Sequence, residues 1–159
     1  MVHTTLCYIE KDDKYLMLHR TKKENDINEG KWIGIGGKFE AGESAEQCVL
    51  REVKEETGLT LTKYSYRAEI LFCPGTPIEE TMHLFTATDF EGNLNKDCPE
   101  GELCWLEKEK LLNLPHWEGD KIFLNLIQNP NHPFFKLTLC YEGSKLTQAI
   151  LNGKDMIIS

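Results

Sequence analysis

Residues 36–59 read GGKFEAGESAEQCVLREVKEETGL, and this stretch decides the fold. The glycine pair Gly36-Gly37 opens it as a tight turn, since Gly takes positive φ without steric penalty. Ser44 stands where a helix N-cap belongs, its oxygen placed to meet the free N–H groups of the first turn. Ala45, Cys48, Val49 and Val53 recur at helical spacing and supply an apolar face. Thr57-Gly58 ends the helix with a glycine cap. Glu52, Glu55 and Glu56 are spaced i, i+3 and i+4, which brings the three carboxylates to one side of the helix. Like charges placed this way repel. A hard divalent cation would offset the repulsion, because such ions take oxygen ligands, and magnesium is commonly held by carboxylates together with substrate phosphates.

At 159 residues the chain is read as a single domain, 1–159, with room for a proper core. A composition of 40% hydrophobic and 28% charged residues is that of an ordinary globular protein. No apolar run approaches the length of a transmembrane helix. The start, MVHTTLCYIEKDDK, lacks the pattern of a signal peptide and reads as a first strand. A formal charge of −8 opposes broad binding to nucleic acid or anionic membrane, so neither is expected as a partner. It does not oppose a small phosphate ligand, because a bound metal inverts the local sign. The six cysteines form no CxxC pair and are read as reduced thiols of a cytoplasmic protein.

Outside the opening stretch the pattern is mostly strand. Residues 3–10 and Tyr15–His19 flank a charged turn and read as a hairpin. Arg20 sits at the strand end, a stiff platform from which a cation reaches phosphate; the polar loop after it carries Lys22 and Lys23. Leu61–Phe72 and Glu80–Phe90 are strand-like, with Met82, Leu84 and Phe85 as core candidates in the second. Glu100 and Glu102 lie in an acidic loop before the short strand LCWL. Leu111–Leu114 reads as a brief helical turn. Trp117–Gln128 reads as a second helix that buries Ile122, Phe123, Leu126 and Ile127. Phe134–Tyr141 and Lys145–Leu151 make a C-terminal β-hairpin.

The opening stretch has a fixed spacing: Gly37, five residues, Glu43, seven residues, Arg51-Glu52-Val53, one residue, Glu55-Glu56, one residue, Gly58-Leu59. This resembles the Nudix box, here at 37–59. With WIGIGGK before the box and WEGD near the second helix, the chain is similar to the MutT-like nucleotide-pool sanitising enzymes. Bacterial 8-oxo-dGTP diphosphatases and their animal counterpart resemble it most. The resemblance implies an α/β fold, a mixed β-sheet sandwiched between helices. It also implies metal-dependent hydrolysis of a nucleoside triphosphate to monophosphate and pyrophosphate, a DNA-repair role in cleaning the nucleotide pool. Mg²⁺, with Mn²⁺ as the alternative, would be held by Glu52, Glu55, Glu56, Glu100 and a carbonyl of Gly36 or Gly37.

Phosphoanhydride hydrolysis needs charge neutralisation, in-line positioning and an activated water. Glu52 or a loop glutamate is the candidate base. Arg51 would orient a box glutamate such as Glu43 through a salt bridge. Arg20 is the candidate phosphate contact, and Gly36, Gly37 and Lys38 are further candidate substrate contacts. By resemblance, Trp117 stacks on a purine and Asp120 hydrogen-bonds its edge, with Ile33 and Phe72 nearby. Ile33 stands where animal members carry Asn, and Gly119-Asp120 where they carry an acid pair. Ile33 offers a base no side-chain hydrogen bond. Hydrolysis of a nucleotide sugar or a dinucleoside polyphosphate is the alternative, and a non-catalytic nucleotide-binding module on the same fold a more distant one. Both monomer and homodimer are compatible with the sequence.

Overall fold

The computed structural model describes residues 1–21, 30–75, 79–95, 97–98 and 101–156. Their strands are β1 (Val2–Lys11), β2 (Lys14–Arg20), β3 (Trp32–Ile33), β4 (Thr60–Cys73), β5 (Glu80–Glu91), β6 (Asp97–Cys98), β7 (Gly101–Glu107), β8 (Phe135–Glu142), β9 (Lys145–Leu151) and β10 (Lys154–Asp155). The helices are α1 (Ala45–Thr57) and α2 (Asp120–Ile127), and Lys108–Asn113 forms a 3₁₀ turn. The strands join one mixed sheet in the order β10-β9-β8-β4-β5-β1-β2-β7-β6, with β3 on β2. β1 runs parallel to β5, and β4 parallel to β8; the other pairs are antiparallel.

Period-two alternation sends successive side chains to opposite faces of a strand, and here both faces are covered. Cys7 and Ile9 of β1, Leu16 and Leu18 of β2, and Phe85 and Ala87 of β5 pack with Val49 and Val53 of α1. Tyr8 of β1, Tyr15 and Met17 of β2, Leu84 of β5 and Ile70 of β4 pack with Phe123, Leu124 and Ile127 of α2. The sheet is therefore sandwiched between the two helices.

Local chemistry explains the ends of α1. Ser44 accepts from the Gln47 N–H while Gln47 Oε1 accepts from the Ser44 N–H, a capping box. Gly58 adopts φ 81° and its N–H returns to the Lys54 carbonyl. The turn between β1 and β2 holds Asp12 and Asp13, both at positive φ, the conformation a two-residue hairpin loop requires.

Three elements differ from the sequence reading. The second helix begins at Asp120, three residues later than the apolar pattern places it. Ahead of it, the Gly119 N–H donates to the Tyr141 hydroxyl (2.8 Å) and the Leu146 N–H donates to Glu118 Oε1 (2.6 Å), so these residues are tied to the C-terminal hairpin rather than wound into helix. The helical turn at Leu111 starts earlier, at Lys108. The hairpin gains a third strand, β10, through Asn152-Gly153, both at positive φ.

Candidate active site

The glycine segment lies flush along β1 instead of forming the expected tight turn: neither Gly36 nor Gly37 takes a positive φ, and bridges to β1 at Ile35 and Lys38 keep the pair extended. Ile35 and Cys7 exchange backbone hydrogen bonds, the Thr5 N–H donates to the Gly37 carbonyl (2.9 Å), and the Phe39 N–H donates to His3 O. A Cβ on Gly36 would stand 1.8 Å from the Thr5 carbonyl oxygen. Only glycine permits that approach, and it brings the segment's backbone to the sheet surface beside α1. The Gly36 N–H donates to Glu56 Oε2 (3.2 Å). A Cβ on Gly37 would lie 2.6 Å from the Glu52 carboxyl carbon, so the glycine pair and the box carboxylates share one surface.

Arg51 organises the acidic face. Its Nε and Nη2 form a two-pronged contact with Glu43 (2.7 and 2.9 Å), Nη1 contacts Glu52 Oε1 (2.8 Å) and Glu55 Oε2 (3.1 Å), and Nη2 also donates to the Lys38 carbonyl (3.1 Å). The salt bridge to Glu43 inferred from spacing is present, and the guanidinium serves Glu52 and Glu55 as well. Hydrogen bonding from Arg51 holds the Glu43 carboxyl down at about 2. The Arg51 guanidinium is held even more firmly protonated, first by Glu43 and also by Glu52. Among the described residues no three Asp, Glu, His or Cys side chains converge closely enough to hold an ion: Glu52 and Glu55 turn to Arg51, and Glu56 to Gly36. The donors are nonetheless hard oxygens, and Glu52 lies against Gly37 on the wall of a cleft, which fits a hard divalent ion.

A cleft of about 770 Å³ runs from this face along residues of β1, β5, β4 and β8 to the start of α2. Its walls bring together Arg20, Ile33, Gly36, Gly37, Lys38, Arg51, Glu52, Phe72, Trp117 and Asp120, ten residues singled out from sequence. Glu55 and Glu56 do not line it; Glu55 is exposed and Glu56 is buried against the glycine segment. Glu100, Lys22 and Lys23 fall outside the described residues. Glu102 is exposed on β7 opposite His19, away from the cleft walls.

The far wall is aromatic. Trp117 meets Phe72 and Tyr141 edge-on, with ring centroids 5.1 and 5.0 Å apart, and Lys31 Nζ sits 4.6 Å above the indole. The Trp117 N–H donates to Asp120 Oδ2 (3.2 Å). Burial raises the Asp120 carboxyl to about 7, against the pull of that hydrogen bond and of Lys31. The acid pair of the animal pattern has no room here: a Cβ at Gly119 would lie 2.6 Å from both Leu139 Cδ1 and the Tyr141 oxygen.

Sequence reasoning missed Thr4, Leu6 and Tyr8 of β1, Glu80 and Met82 of β5, and Leu139 and Tyr141 of β8, all of which line the cleft. Alternation marks each as sharing a face with its strand neighbours. What unites them is the parallel pairing of β1 with β5 and of β4 with β8, which no local pattern reports.

The family model for the Nudix domain matches residues 2–127. An uncharacterized Nudix hydrolase of Bacillus subtilis is 32% identical over 127 residues, 77% of each chain. The oxidized purine nucleoside triphosphate hydrolase of Danio rerio is 32% identical over 109 residues, 66% of this chain and 67% of that one. The crystal structure of a MutT protein from Bacillus halodurans superposes with a TM-score of 0.85 at 30% identity, covering 97% of this chain and 99% of that one. With the box carboxylates, the glycine segment and the sandwiched sheet all in place, the chain belongs to the Nudix family and is a Nudix pyrophosphohydrolase.

Proposed function

We propose that the protein hydrolyses an oxidised purine nucleoside triphosphate, of the 8-oxo-dGTP type, to the nucleoside monophosphate and pyrophosphate in the cytoplasmic nucleotide pool. One observation carries this reading: a single cleft joins the glycine and carboxylate surface to the Phe72–Trp117 wall and the buried Asp120. Stacking on an aromatic ring favours any flat base, by about 1–3 kcal/mol. A carboxyl that titrates near neutrality accepts from a purine N–H when ionised and donates to a carbonyl when protonated. Arg20 and Lys38 also line the cleft, two cations that suit the phosphates.

Glu52, Glu55, Glu56 and a carbonyl of Gly36 or Gly37 are the residues we assign to Mg²⁺ or Mn²⁺. Such an ion neutralises phosphate charge and makes a bound water more acidic. Glu52, which lines the cleft, or a loop glutamate would take the proton of an attacking water. Arg51 keeps the Glu52 carboxylate oriented through its 2.8 Å contact.

Relatives named CTP pyrophosphohydrolase and ADP-ribose pyrophosphatase share this family, so base and leaving group are the variables to measure. Incubation with Mg²⁺ and 8-oxo-dGTP, dGTP, ADP-ribose or a diadenosine polyphosphate, with products resolved by ion-exchange chromatography, tests the assignment. The highest kcat/KM is expected for 8-oxo-dGTP; a preference for ADP-ribose would overturn it in favour of a nucleotide-sugar hydrolase. Glu56→Gln keeps an acceptor for the Gly36 N–H, so the fold is retained while turnover falls at least about a hundredfold. Full activity in that variant would refute the metal role.

A further inference from the structure

Glu80 is a carboxylate set into a floor that is otherwise built for a flat apolar group. It opens β5 and stands directly opposite Phe72 in the β4–β5 ladder. Met82, two residues on along the same face, pairs with Ile70 on one side and with Thr4 on the other. All of these but Ile70 line the cleft, as do Trp117 and Asp120. The Thr4 hydroxyl donates to Glu80 Oε2 (3.0 Å). The side chain is half-buried, and its carboxyl is raised by desolvation against the pull of the Thr4 hydrogen bond and of Lys38.

A half-buried carboxyl on an apolar floor costs stability unless it is hydrogen-bonded. One hydroxyl satisfies a small part of it, since a carboxylate offers about four acceptor sites. The partner that completes it is not phosphate, which its charge repels. A neutral N–H donor on the edge of a base lying over Phe72 and Met82 suits both the charge and the floor. Asp120 lies at the start of α2, whereas Glu80 rises from the sheet itself, so the two acids address different edges of whatever occupies the cleft.

We propose that Glu80 is a specificity-determining residue that accepts a hydrogen bond from an exocyclic amino group of the purine. This rests on the nucleotide reading above but is tested by binding rather than turnover. Hydrogen bonds to charged groups are among the stronger ones, and a site built to accept one discriminates against a ligand that lacks the donor.

The experiment measures binding of matched nucleoside monophosphates by isothermal titration calorimetry: GMP against IMP, and AMP against purine riboside monophosphate. Each pair differs by one amino group. The wild type is expected to favour the amino-bearing member of at least one pair by about tenfold or more. In Glu80→Met, which removes the acceptor, that preference should fall to within about threefold; in Glu80→Gln, which keeps a neutral acceptor, it should fall by less; Asp120→Asn, run alongside, should leave part of it. Circular dichroism confirms that each variant is folded. The inference is overturned if the wild type prefers neither member, if the preference survives undiminished in Glu80→Met, or if no monophosphate binds. A preference for ADP-ribose in the turnover panel, with the amino-group preference intact here, would sink the triphosphate reading and leave the Glu80 assignment standing.

Discussion

Replacing Asp120 with Asn should change how stability depends on pH. Asp120 is 9% exposed, and burial raises its carboxyl from an ordinary 3.8 to about 7. The unfolded chain therefore ionises first. The folded state carries no penalty below about pH 3.8, loses stability as pH rises toward 7, and changes no further above it. That interval is roughly three pH units, or about 4 kcal/mol at 1.36 kcal/mol per unit. Between pH 5 and pH 8, where both proteins are readily handled, about 2.5 kcal/mol of it falls. Asparagine cannot titrate, and its carbonyl still accepts the Trp117 N–H. Urea unfolding of both proteins at pH 5, 6, 7 and 8 isolates the effect as a difference between them. The wild type should lose ground to Asp120→Asn steadily from pH 5 to 7 and then level off. A difference that stays flat within about 0.5 kcal/mol would mean the carboxyl is ionised throughout this range. The desolvation argument, and with it the idea of an acid that switches protonation near neutrality, would then fail.

Two further outcomes follow from the box itself. Gly37→Ala places a methyl group 2.6 Å from the Glu52 carboxyl carbon; the carboxylate must move, and kcat should fall roughly ten- to a hundredfold with the melting midpoint nearly unchanged. Steady-state rates and thermal melts check this, and wild-type kcat would refute it. Arg51→Lys keeps the charge but loses the two-pronged contact with Glu43, so the melting midpoint should drop at pH 6. Because Glu43 is held at about 2, the contribution is present above its ordinary pKa of 4.5 and lost as pH falls toward 2. The gap between wild type and variant should therefore narrow in melts at pH 4 and 3.

The parts of the molecule that were legible in the sequence are those whose cause is local. Ser44, Gln47 and Gly58 mark the ends of α1 through hydrogen bonds that span three or four residues. Cys48, Val49 and Val53 declare its buried face by period. The alternation Phe135, Leu137, Leu139, Tyr141 marks β8, and all four are buried. The start of α2 was misplaced because the ties that hold Glu118 and Gly119 reach Leu146 and Tyr141, more than twenty residues away. The base end of the cleft was only half visible for the same reason. Trp117 and Asp120 were named by resemblance, but the floor beneath them is assembled by β1 against β5 and β4 against β8, pairings separated by some seventy residues.

The acidic face shows a different kind of gap. Spacing alone puts Glu52, Glu55 and Glu56 on one side of a helix and says that their repulsion must be offset. It does not say by what. Arg51 answers first: one guanidinium contacts Glu43, Glu52 and Glu55. Five donors in a rigid fork let it do so without leaving Glu43. Capture of a divalent cation by Glu52 and Glu55 would then exchange the two Nη1 contacts for metal–oxygen bonds while the Glu43 fork keeps the side chain in place. The displaced Nη1 would remain beside the carboxylates, a positive charge at the edge of the cleft. An arginine at this position thus holds three carboxylates of the face at once, which a lysine, with a single point charge and no planar fork, cannot do.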